Sequence, residues 1–194
     1  MKADAILRVT EALRTRLEKA LQRSLVPGTV FVGPLDDPDV KTAALILFLY
    51  RIVPNASLRN REHRVPRPTN GTAPVDVYQN SIPLDLYYLI TVGTTPGSSE
   101  ETPLRQLGYA IQGIQAAPEL TGADVGYETV RITLEPLSTE EASRIWALFP
   151  TANYRTSIAY LATPVWIDPP QPEPVAVPVT DDRLLAASRT EPLS

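Results

Sequence analysis

Few residues in this chain could carry chemistry, and they are scattered. Its 194 residues include one histidine and no cysteine, so thiol catalysis, disulfides, thiolate metal sites and histidine-based metal centres lack raw material. His63 stands alone in the arginine-rich run NASLRNREHRVPRP and is expected to face solvent rather than to catalyse. The acids Asp36, Asp37 and Asp39 could open a calcium loop. An EF-hand, however, needs Gly at its sixth position and Glu at its twelfth. Counting from Asp36, those positions hold Lys41 and Leu47, so a turn is expected. Asp85 lies beside Tyr87 and Tyr88, where strand-edge pairing accounts for it. A reaction centre assembled from Asp85, Glu128 and Glu135 would need a deep polar pocket to support it. There is no phosphate loop, Rossmann glycine pattern, G-x-S-x-G elbow or HExxH pair. No enzyme activity, cofactor or metal is therefore expected, and the thin vocabulary points to a structural or interaction role.

The elements that must position these residues centre on Ile82 to Ala117. Leu84, Leu86, Tyr88, Ile90 and Val92 alternate with Asp85, Tyr87, Leu89 and Thr91, which predicts a strand beginning at Pro83. GTTPGSSEET is loop chemistry. Leu104, Leu107, Ile111 and Ile114 then recur at helical spacing, with Glu100 and Glu101 at the helix's positive end and Pro118 closing it.

The remaining elements cover this unit. Asp4 to Leu25 reads as an amphipathic helix with a stripe of Ile6, Val9, Leu13, Leu17, Ala20 and Leu21, stopped by Pro27-Gly28. Thr29 to Gly33 is a short β-branched strand. Ala43 to Val53 is a strand apolar on both faces, hence central or covered by a helix or a neighbouring chain. Tyr127 to Pro136 alternates as a half-exposed strand. Ser138 and Glu141 form a capping box that opens a short helix burying Ala142, Ile145, Trp146 and Phe149. Tyr154 to Ile167 is the last strand, continuing past Pro164. The fold class is thus α/β (α+β): a small mixed sheet of four to five strands flanked by helices.

Two stretches stand apart. Residues 54–80 form a long linkage, a solvated hairpin or a flexible loop; its first part, NASLRNREHRVPRP, holds Arg59, Arg61, Arg64 and Arg67 against Glu62 alone, a local charge of +3 in a chain of net −4. Docking onto an acidic partner surface is the functional reading of those arginines. A nucleic-acid contact is the weaker one, since no aromatic stacking platform flanks them and the chain is acidic overall. Residues 169–194 form a proline-rich arm after a domain of residues 1–168. It carries a local −2 and an apolar, β-prone patch at Val175, Val177 and Val179, suited to strand pairing with another subunit. The longest apolar run, Ala43 to Tyr50, is far short of the ~20 residues a membrane helix needs, and Met1 to Arg23 is charged throughout. A soluble chain made in the cytoplasm, without membrane contact, is expected.

The order of these elements carries a likeness. Pro83, Leu84, Asp85, Leu86, Tyr87 and Tyr88, then Leu107, Gly108 and Ala110, then Pro118 and Leu120, then Trp146, and finally Tyr154, Arg155, Ser157 and Tyr160 resemble the cap, or tail-terminator, proteins of contractile injection systems. The likeness spans about residues 4 to 167 and leaves the arginine loop and the arm unmatched. It implies a tail-terminator-like α/β domain assembled as a homohexameric ring. Such a ring would sit on the last layer of the inner tube, touch the last sheath layer and carry no cofactor. The implied partners are further copies, the tube protein and the sheath protein, within a particle assembled in the cytoplasm and released afterwards. The alternative is an adaptor that binds nucleic acid or another partner through the arginine loop.

Overall fold

The computed structural model describes residues 3–24, 28–66, 75–93 and 101–172. In chain order they form α1 (Ala5–Leu21), β1 (Val30–Val32), a 3₁₀ turn (Pro38–Thr42), β2 (Leu45–Pro54), β3 (His63–Pro66), β4 (Val75–Tyr78), β5 (Ile82–Val92), α2 (Glu101–Ala116), β6 (Glu119–Thr121), a second 3₁₀ turn (Ala123–Val125), β7 (Thr129–Glu135), α3 (Thr139–Ala147) and β8 (Ser157–Ile167). Six strands make one sheet in the order β1-β2-β5-β8-β7-β6, and β3 pairs with β4 as a separate hairpin. Only the β1–β2 pair is parallel. The α/β class is as expected. The sheet has six strands because Glu119–Thr121, directly after Pro118, also pairs, with residues 129–131 of β7.

β5 lies near the middle of the sheet, antiparallel to β2 on one side and β8 on the other. Its alternation sends Leu86, Tyr88, Ile90 and Val92 to one face and Leu89 to the other. α1 and α2 close the first face. Val9, Leu13 and Leu17 meet Leu45, Leu47, Ile90, Val130, Ile132 and Tyr160 there. Full burial of side chains of this size stabilises the fold by roughly 1.5–3 kcal/mol each. Tyr88 brings a hydroxyl into that core, and Thr10 of α1 meets it at 2.8 Å, so the polar atom is satisfied where water is excluded. α3 and residues 35–40 cover only part of the second face. Leu35, Val40, Trp146 and Phe149 sit there on Ile46, Leu89 and Ala159, and the Phe48 and Phe149 rings meet edge to face at 5.2 Å.

The local chemistry explains the boundaries. α3 begins with the expected capping box: Ser138 Oγ accepts from the Glu141 amide at 3.2 Å, and the Ser138 amide donates to Glu141 Oε2 at 2.9 Å. Asp4 occupies the N-cap position of α1, but its carboxylate pairs with Arg8 at 2.6 Å instead of capping the backbone. Pro164 lies inside β8 where the ladder to β5 slips between Leu84 and Leu86, the kind of irregularity that tolerates a residue without an N–H. Two expectations need correction. Tyr154 to Thr156 precede β8 rather than belong to it, and Tyr154 is 67% exposed. Leu104 is 53% exposed, because the buried stripe of α2 is Gln106, Leu107, Ala110 and Ile114.

Close approach of the two long helices depends on one glycine. A Cβ on Gly113 would lie 2.5 Å from the Ala20 Cβ of α1, whereas one on Gly108 would meet nothing within 4 Å. Gly113→Val should therefore destabilise the protein by about 1–3 kcal/mol in urea unfolding. Gly108→Ala should stabilise it by up to about 1 kcal/mol.

Candidate functional site: a buried histidine clamp beside open surfaces

The chain's one histidine is not a solvent-facing loop residue. His63, the first residue of β3, is only 4% exposed, which overturns the reading of it as a solvated side chain. The 54–80 segment is not free of structure either, because β3 and β4 pair over His63–Pro66 and Val75–Tyr78. Both ring nitrogens of His63 meet carboxylates. Nδ1 lies 2.6 Å from Asp168 Oδ1, and Nε2 lies 3.0 Å from Glu128. Ser81 Oγ donates to the same Asp168 oxygen at 2.8 Å. The imidazole stacks on Trp166 with centroids 4.5 Å apart and planes 9° from parallel, and Tyr78 lies 6.3 Å away.

Four separate segments thus converge. β3 supplies His63, the turn before β5 supplies Ser81, the turn before β7 supplies Glu128, and the end of β8 supplies Trp166 and Asp168. The turn before β7 is itself tightly wound. Tyr127 has φ of 64°, unusual for a bulky residue and costing about 1–3 kcal/mol, and its amide is held by the Gly122 carbonyl at 2.7 Å. Glu128, its neighbour, anchors that turn through His63.

Burial works against charge on His63, but the hydrogen bonds and charges of Asp168 and Glu128 outweigh it and raise its pKa above the ordinary 6.5. Burial likewise works to raise Asp168, but His63 and Ser81 hold it below the usual 3.8. The two carboxylates thus favour the charged form of the ring. His63, Glu128 and Asp168 each place a donor atom within 4.8 Å of the others, so a metal is worth testing against the geometry. In this structure each ring nitrogen meets its own carboxylate, so the three side chains act as an ionic clamp between segments.

The other residues singled out by sequence are dispersed. Asp85 accepts from Asn55 Nδ2 at 2.9 Å and from Thr163 Oγ1 at 2.5 Å across the second sheet face, as strand-level pairing predicts. Glu128 and Glu135 flank opposite ends of β7, so these three acids do not form one site. Arg59, Arg61 and Arg64 are exposed; Arg64 pairs with Glu62 at 3.0 Å, a contact that contributes little at the surface. Arg67, Val175, Val177 and Val179 lie outside the described residues.

Two kinds of open surface remain. β1 covers β2 only at Leu45–Leu47, so among the described residues no strand pairs with the outer edge of β2 from Phe48 onward. The second sheet face beyond α3 carries Tyr50, Arg51, Tyr87 and Leu161. The Arg51 guanidinium sits 5.0 Å from the centre of the Tyr87 ring, and burial with nearby Glu135 pushes the Tyr50 hydroxyl up to about 12.

A mixed sheet flanked by helices, with a buried ionic cluster that joins four chain segments, defines an α/β domain. A family model described as the Pvc16 N-terminal domain matches residues 8–181, and the chain belongs to that family. Two solved structures share the fold. One is the sheath/tube terminator of an extracellular contractile injection system, PVC, in its extended state, with a TM-score of 0.63 and 17% identity over 97% of this chain. The other is the anti-feeding prophage cap, described as the AFP tube terminating cap, with a TM-score of 0.56 and 19% identity over 96% of this chain. This chain spans 65% and 59% of the length of those two chains. No curated protein matches it. Among the described residues no helix is long and apolar enough to cross a membrane.

The clamp generates a pH prediction. His63 is charged more readily folded than unfolded, so its contribution is fully present below its unfolded pKa near 6.5. It is lost as pH rises through the higher folded value. Asp168 is depressed, so its contribution is present above its unfolded pKa and is lost as pH falls through the folded value. Unfolding free energy should therefore decline on both the acid and the alkaline side. His63→Gln should cost about 3 kcal/mol and remove the alkaline decline, as read by denaturant titrations across pH.

Proposed function

We propose that this chain is a terminator of a contractile injection particle. Copies close head to tail into a six-fold ring that ends the inner tube and anchors the last sheath layer. Membership of the Pvc16 N-terminal domain family over residues 8–181 carries this reading. The fold shared with a PVC sheath/tube terminator and an anti-feeding prophage cap supports it. The role is structural, without a reaction or a cofactor.

The mechanism is geometric. A heterologous interface closes into a ring when its rotation divides the circle, and growth stops when one ring face matches the tube end and the other does not. The half-covered sheet face and the open edge of β2 are surfaces that subunit contacts would bury. Arg59, Arg61, Arg64 and Arg67 dock on an acidic surface of the tube or sheath, where exposed charges act chiefly on association rate and register. Residues 1–168 form the ring domain. Residues 169–194 form an arm whose Val175, Val177 and Val179 add by strand pairing to a neighbouring subunit or to the sheath. Assembly takes place in the cytoplasm, and the chain leaves as part of the particle.

Particles produced without this chain should lose their narrow tube-length distribution in negative-stain images, and unchanged lengths would contradict the terminator role. Reversing all four arginines to glutamate should weaken cap attachment, with wild-type attachment falling steeply as salt rises; attachment indifferent to both would exclude charge docking. Deleting residues 169–194 should lower cap occupancy on otherwise normal tubes, whereas full occupancy would remove the arm from the mechanism.

A further inference from the structure

Among the described residues, Arg155 is a cation without an anion. It lies just before β8, beside the exposed ring of Tyr154. Its Nη1 is buried and has no hydrogen-bond partner, and among the described residues no carboxylate pairs with the side chain. Burial draws its pKa below the ordinary 12.5, as happens when a charge loses water and gains no counter-ion. Native proteins leave few such atoms, each costing about 1–3 kcal/mol or more, so one beside open space calls for a ligand.

The space is present on both flanks. A cavity of about 300 Å³ is lined, among the described residues, by Val92, Pro103, Leu104, Tyr154, Arg155 and Thr156, none of them acidic. Its rim is apolar and open, since Leu104 and Tyr154 are the exposed residues noted above. A second cavity of about 330 Å³ places Asp36 and Asp37 on the other flank, yet neither pairs with Arg155. A guanidinium with free donors beside an apolar rim fits a carboxylate carried on an apolar surface.

We propose that the Arg155 cavity is a socket for a carboxylate side chain of the next copy of this chain, clamped by the guanidinium while Leu104 and Tyr154 close around it. This rests on the ring reading and deepens it by naming a contact. Charge favours a second copy as occupant. The chain carries 22 acidic against 18 basic side chains, and Glu119 and Asp124 are exposed carboxylates without a partner in the monomer. A head-to-tail interface also brings a different surface of the next copy to each socket.

Wild type, Arg155→Met and Arg155→Lys, all full chain, can be compared by light scattering over a concentration and salt series, with thermal unfolding alongside. Arg155→Met should keep or raise Tm, because it removes a stranded charge, while self-association weakens about tenfold or more. Arg155→Lys, with the charge but not the planar fork, should fall between. Association of Arg155→Met equal to wild type overturns the socket, and so does a lowered Tm, which would show that Arg155 serves the monomer's own fold. Normal self-association with lost binding to tube ends overturns the choice of occupant. A wild-type chain that stays monomeric throughout sinks the ring reading, and the socket with it; this outcome is distinct from a ring that tolerates Arg155→Met.

Discussion

The contact between His63 and its two carboxylates ties together chain segments far apart in sequence. Through it, the β3–β4 hairpin is fastened to the turn before β7 and to Asp168, the residue after β8. One ionic cluster thus places the hairpin whose first strand carries Arg64 and whose approach carries Arg59 and Arg61. A buried charge pair of this kind adds little net stability relative to an apolar replacement, because desolvation offsets most of the attraction. It does specify geometry, because removing one partner leaves the others charged and buried.

The sheet supplies the rigid frame. Its first face is covered by α1 and α2, with a satisfied hydroxyl pair between Thr10 and Tyr88. Its second face is closed only where α3 and residues 35–40 reach. Of the exposed apolar residues, Leu104 and Tyr154 line one cavity and Ile52 stands apart on β2. The chain belongs to the Pvc16 N-terminal domain family and shares its fold with a sheath/tube terminator and a tube terminating cap.

Much of the frame was legible because it follows from local rules. The alternation in β5 named its two faces residue by residue, the stripe in α1 named its buried side, and Ser138 with Glu141 located the start of α3. What could not be read arises from contacts distant in sequence. His63 meets Asp168 across 105 residues, and a run of arginines around it looks solvated unless that partner is known. Its acceptors are ordinary surface residue types, so no motif marks them; the nearest signal was that a long linkage contained any histidine at all. β6 is three residues long and becomes a strand only because β7 lies beside it. Leu104 fits the helical period of α2 but falls at an end of the helix that nothing among the described residues covers, so period alone placed it inside. Arg155 was visible as a residue type, but its missing counter-ion can be seen only in three dimensions.

The central claim is that copies of this chain close a ring on the end of a tube. Electron cryomicroscopy of purified particles, with this chain carrying a small fused tag, tests it most directly. Six tag densities arranged as one ring at the tube's terminal layer, and none along its length, is the predicted result. Tag density spread along the particle, or absent from its ends, would contradict the account.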